Sequence, residues 1–77
     1  MEIIESKHWK YKKTFRPNIE AYMIEYTISY GSFHRDKNDL TVFNLIAIIP
    51  QTGRHLKVVF RQLDRDKVKL ITAYYLD

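Results

Sequence analysis

The chain has 77 residues, 45% of them hydrophobic and 29% charged, including six tyrosines, four phenylalanines and one tryptophan. That is enough for one domain over residues 1–77 with one core, and too apolar for a disordered chain. Thirteen lysines and arginines against nine aspartates and glutamates leave a formal charge of +4, which suits a polyanionic partner. The absence of cysteine excludes disulfides and thiolate metal sites.

The opening residues, Met1 to Ser6, are acidic and alternating, unlike the basic-then-apolar pattern of a secretory signal. The longest apolar stretch, Leu45 to Pro50, is far shorter than the roughly 20 residues of a membrane-spanning helix. The expectation is a cytoplasmic protein with no membrane partner.

Glu2 to Glu5 reads as a short first strand carrying Ile3 and Ile4. Ser6 is placed to cap a helix over Lys7 to Phe15, where His8, Tyr11 and Phe15 recur at spacings of three and four. Arg16-Pro17 ends it, because the residue before proline is pushed out of helical geometry. Asn18 is then the expected cap of a second helix starting at Ile19, with an apolar stripe of Ile19, Met23, Tyr26, Ile28 and Tyr30. Gly31 is expected to close it in a left-handed conformation. Ser32 to Asn38 is polar and reads as a surface loop.

Three strands follow, over Thr41–Ile49, His55–Gln62 and Val68–Leu76, joined by turns at Pro50-Gln51-Thr52-Gly53 and Asp64-Arg65-Asp66-Lys67. In the second of these, Leu56, Val58 and Phe60 alternate with Lys57, Val59 and Arg61. In the third, Val68, Leu70, Thr72 and Tyr74 alternate with Lys69, Ile71, Ala73 and Tyr75. The expected fold is α+β, in the order β-α-α-β-β-β, with two helices packed on an antiparallel sheet. The other sheet face is left aromatic and basic.

The basic excess is concentrated. Lys7, Lys10, Lys12, Lys13 and Arg16 crowd the segment from Ser6 to Arg16, which holds no acid. Residues four apart stack along a helix, so His8, Lys12 and Arg16 form one row. An imidazole beside two cations suits cleavage of an RNA phosphodiester: one group moves protons while the others stabilise charge on the phosphate. The same row is also what a solvated basic helix edge looks like. Arg54, His55, Lys57 and Arg61 form a second basic group, with Lys57 and Arg61 on one strand face and able to grip phosphates. Thr72 and Tyr74 add hydroxyls on a shared face. Trp9 and Phe43 are candidates for base stacking or for the core. His8, His34 and His55 lack metal spacing, and neither a glycine-rich phosphate loop nor a serine-nucleophile elbow occurs. No metal and no cofactor is expected.

Ser6-Lys7-His8, then Lys12, then Arg16 before Asn18-Ile19, with Val58-Val59-Phe60-Arg61 and Ile71-Thr72-Ala73-Tyr74 downstream, resembles small toxin-related domains of the RelE/ParE-like superfamily. These carry an early Ser-x-His-x-x-x-Arg-x-x-x-Arg signature and a late Val-Val-aromatic, Thr-Ala-Tyr signature. The resemblance spans nearly the whole chain. It implies a metal-independent endoribonuclease of a toxin-antitoxin pair, with RNA as substrate and a cognate antitoxin as partner. Carried over by position, its catalytic set is His8, Lys12, Arg16, Arg61, Thr72 and Tyr74; beside that set, the basic residues Lys13, Arg54, His55 and Lys57 are the candidate RNA-binding group. Lys12 stands where the pattern has arginine, which keeps charge but loses the planar two-pronged geometry, and Pro17 stands in place of a flexible residue.

Overall fold

A computed structural model of the chain describes residues 1–35 and 37–77. Strand β1 (Glu2–Glu5) leads into helix α1 (Lys7–Lys12), a 3-10 turn over Lys13–Phe15 and helix α2 (Ala21–Tyr30). Four strands then run in succession: β2 (Ser32–Arg35), β3 (Val42–Ile48), β4 (His55–Asp64) and β5 (Lys67–Tyr75). The result is α+β, with both helices on one five-stranded sheet of order β1-β5-β4-β3-β2. The sheet is mixed and not purely antiparallel as expected, because β1 runs parallel to β5. Returning the chain to that edge in the parallel sense needs a long crossover through the rest of the fold, which periodicity within the strand does not record.

Ser6 caps α1 as expected: its hydroxyl accepts from the Trp9 amide at 3.0 Å. The α-helix is shorter than the spacing suggested, tightening into the 3-10 turn at Lys13, and Trp9 is the residue it buries. Tyr11 and Phe15, whose spacing marks the helix in the sequence, are exposed. Helix α2 starts two residues later than expected and has Glu20 at its cap position, with no side-chain cap bond; Asn18 lies outside the helix. Its buried side is Met23, Ile24 and Thr27, whereas Tyr30 is on the surface. Thr27 tolerates a fully buried helical position because its hydroxyl donates to the Met23 carbonyl at 2.9 Å.

Gly31 is not left-handed: its φ is −72°. It is needed for a close approach, since a Cβ there would lie 2.5 Å from the Thr27 carbonyl oxygen and 3.1 Å from that of Ile46. The chain therefore turns straight from α2 into β2, where a loop over Ser32–Asn38 was expected; Asp36 within that loop lies outside the described residues. β2 is exposed along its length, so it lacks the apolar alternation that marks a half-buried strand, and its pairing with β3 is a backbone property. Gly53 does take positive φ, at 71°, in the β3–β4 turn.

The core lies between helices and sheet: Trp9, Ile19, Met23 and Ile24 meet Leu45, Leu56, Val58, Val68, Leu70 and Ala73. On β4 the buried residues are Leu56, Val58 and Phe60, so Lys57, Val59 and Arg61 face the opposite, open side. On β5 the expected alternation fails. Val59 pairs with Thr72 but Phe60 pairs with Leu70, leaving Ile71 as an extra, bulged residue. Val68 and Leu70 are buried before the bulge and Ala73 after it. Thr72 and Tyr74 are thereby moved onto the open face, opposite Val59 and Lys57.

Candidate functional site

β1 pairs with β5 only from Lys67 to Leu70, so the outer edge of β5 beyond Leu70 has carbonyls without a strand partner among the described residues. A backbone acceptor left unpaired there is costly, and the segment around α1 supplies donors. The Ser6 hydroxyl donates to the Ile71 carbonyl at 3.0 Å. Arg16, at the end of the 3-10 turn, donates through Nη1 to the Ala73 carbonyl at 3.0 Å and to the Thr72 hydroxyl at 3.2 Å. The segment that the sequence marks as basic is thus fastened to the strand that carries Thr72 and Tyr74.

These anchors assemble a cluster on the open face. The Arg16 guanidinium carbon and the Lys57 ammonium nitrogen each lie 5.8 Å from the centroid of the Tyr74 ring, within cation–π range. Thr72 completes the group through Arg16. Only one of the three guanidinium nitrogens is engaged among the described residues, which leaves the Nε–Nη2 edge of Arg16 with donors for a carboxylate or phosphate.

The remaining candidates are placed differently. Lys12 lies with its ammonium 5.9 Å from the Tyr11 ring. The exposed His8 ring makes no hydrogen bond, ion pair or ring contact among the described residues. It shares the α1 row with Lys12 by spacing, and no contact joins it to Thr72 and Tyr74. Arg61 shares the open face with Lys57, but four residues along a strand separate them by roughly 13 Å, too far for one phosphate. Its Nη2 pairs with Asp39 at 3.1 Å, and its Nε is buried without a partner among the described residues. The Thr41 hydroxyl and amide, then Arg61, hold the Asp39 carboxyl below its ordinary range. Lys13 is paired with Glu5 at 2.9 Å.

Arg54 and His55 form a separate group. Arg54 stacks 4.0 Å over the Tyr75 ring and donates to the Asp77 carbonyl. The His55 ring meets the Asp77 carboxylate at 3.0 Å, and the His55 amide donates to it at 2.9 Å. These bonds hold Asp77 below the ordinary carboxylate value. Tyr75 packs on the helix side, its hydroxyl donating to the Asn18 carbonyl at 3.2 Å. Trp9 belongs to the core, and Phe43 stacks between Phe33 and Phe60. Neither is a free stacking surface.

Sequence reasoning missed Asp39 and Asp77 as partners of Arg61 and His55. No spacing links them, because each pair lies 22 residues apart. It also missed the exposed pair Tyr11 and Phe15, for which the flanking lysines were the available signal. Among the described residues, no three histidine or carboxylate side chains gather as a metal site, and no helix is long and apolar enough to cross a membrane. No family model, curated protein or solved structure matches the chain.

Proposed function

We propose that this is an RNA-binding domain of RelE/ParE-like toxin kind, which cuts RNA through attack of a ribose 2′-hydroxyl on the adjacent phosphate. The observation that carries the reading is Arg16: Nη1 is fixed to Thr72 and Ala73 of β5 while its Nε–Nη2 edge keeps free donors among the described residues, and the guanidinium carbon and the Lys57 ammonium each lie 5.8 Å from the Tyr74 ring centroid. Arg16 and Lys57 stabilise the charge that builds on the phosphate, with Lys12 adding positive potential from α1. The 2′-hydroxyl loses its proton to the His8 imidazole, or to a solvent water positioned by the Tyr74 hydroxyl, as the new P–O bond forms. The P–O5′ bond breaks and the leaving 5′-oxygen takes a proton from solvent, so the products are a 2′,3′-cyclic phosphate and a 5′-hydroxyl. Arg61, paired with Asp39, lies farther along the same face and stands apart from the reacting phosphate. An acidic antitoxin is the protein partner that this surface would complement.

Labelled RNA incubated with the purified chain in chelator, across pH, tests the reading. Cyclic-phosphate ends that disappear in Arg16→Ala support it, and Tyr74→Phe against His8→Ala tells which group moves the proton. No affinity for any polynucleotide at low salt would overturn it.

A second reading, binding without cleavage, is favoured by His8, whose ring has no partner to orient it among the described residues. Retained binding with no new RNA ends in the wild-type chain would select it. In either case affinity should fall steeply as salt rises, because phosphate contacts release counterions.

A further inference from the structure

Tyr11 and Phe15 are the two large hydrophobic side chains that the α1 segment leaves in solvent, at 62% and 66% exposure. They do not stand singly: their rings meet edge to face, with centroids 5.2 Å apart and planes at 68°. The core does not need them, because Trp9, at 1% exposure, fills the inward side of this segment. The backbone beneath the rings is fastened at three points. The Thr14 hydroxyl donates to the Tyr11 carbonyl at 2.7 Å, Lys13 is paired with Glu5 on β1, and Arg16 is bonded to β5. Two exposed rings on a pinned turn lose little freedom when something stacks on them.

Their surroundings indicate what stacks. Lys10, Lys12, Lys13 and Arg16 alternate with Tyr11 and Phe15 along the sequence, the segment holds no acid, and the Lys12 ammonium lies 5.9 Å from the Tyr11 ring. Phe15 and Arg16 are consecutive, with Cα atoms about 3.8 Å apart. Exposed aromatics interleaved with cations match the chemistry of a single nucleic-acid strand, whose bases stack while its phosphates pair.

We propose that Tyr11 and Phe15 form a stacking platform for an unpaired base next to the phosphate held by Arg16. The inference rests on the RNA-binding reading and adds to it a preference for single-stranded over duplex RNA. In a duplex the base faces are occupied by their neighbours.

The test measures affinity for a 2′-O-methyl oligonucleotide of about 12 nucleotides, within the span of known single-strand sites. This probe has no free 2′-hydroxyl, so binding is read apart from cleavage. Tyr11→Ala and Phe15→Ala should each weaken binding of the single strand by roughly fivefold to 150-fold. Binding of the matched duplex should be nearly unchanged, and Phe15→Trp should retain single-strand affinity. Both rings are exposed, and matching far-ultraviolet circular dichroism of the variants establishes that they fold. Should the wild-type chain bind the single strand and both alanine variants bind it equally well, the platform is overturned while the RNA-binding reading stands. An equal loss on duplex also overturns it. Failure of the wild-type chain to bind any single strand removes both.

Discussion

Arg16 Nη1 sits 3.0 Å from the carbonyl oxygen of Ala73, a residue 57 positions away. This bond has two consequences, because it satisfies an acceptor on the β5 edge that no strand covers among the described residues and holds a cation beside Tyr74. Arg16→Ala is therefore expected to lower stability by about 1 kcal/mol and to weaken RNA binding more than that loss explains. Arg16→Lys keeps the charge but not the fork. Urea unfolding of both variants beside their RNA affinities separates the structural share from the phosphate share.

Ser6 also has a double task, capping α1 at Trp9 and donating to Ile71 on β5. Ser6→Ala removes both bonds at a buried site, so a loss of about 1–2 kcal/mol is expected. In a domain this small, about 1 kcal/mol moves the thermal midpoint by roughly 4–8 °C, which calorimetry resolves.

Gly31→Ala should destabilise for a steric reason and not a conformational one. The φ of −72° is open to any residue, but the added Cβ meets the Thr27 and Ile46 carbonyls. Backbone on both sides must shift, at a cost of about 1–3 kcal/mol. Loss of protection in amide exchange at the α2–β2 junction would accompany the lower midpoint.

Asp77 titrates below its ordinary value of 3.8, chiefly through the His55 ring and then the His55 amide. Because the folded value is depressed, the stabilisation it reports is present above about pH 3.8 and is lost as pH falls through the folded value. His55→Ala removes the ring and leaves the amide, so the midpoint should rise part of the way back. A carbon-13 titration of the Asp77 carboxyl reads this directly, and an unchanged midpoint would contradict the assignment.

The open-face position of Lys57 and Arg61 was legible in the sequence, because β4 alternates strictly from His55 to Arg61. Thr72 and Tyr74 were correctly placed on one face with each other, yet the alternation put them with Val68 and Leu70. The bulge at Ile71 reverses that. A single extra residue changes the side of every residue after it, and β-branched Ile71 carries no mark distinguishing a bulged position from a paired one. The row of His8, Lys12 and Arg16 was read as one continuous helical edge, but the helix gives way to a 3-10 turn at Lys13. Arg16 turns back to β5, while His8 makes no contact with the cluster.

Where the chain caps, breaks and alternates, local chemistry determined the outcome. Ser6 caps α1, the helical segment ends before Pro17, Gly53 turns positive, β4 faces two ways, and the cations crowd one short segment. The tertiary structure alone decided the parallel seat of β1, the β2 edge, the bulge at Ile71 and the exposure of Tyr11 and Phe15. Each depends on which backbone groups and apolar surfaces remain unsatisfied once distant segments have met, and that is a property of the packed whole.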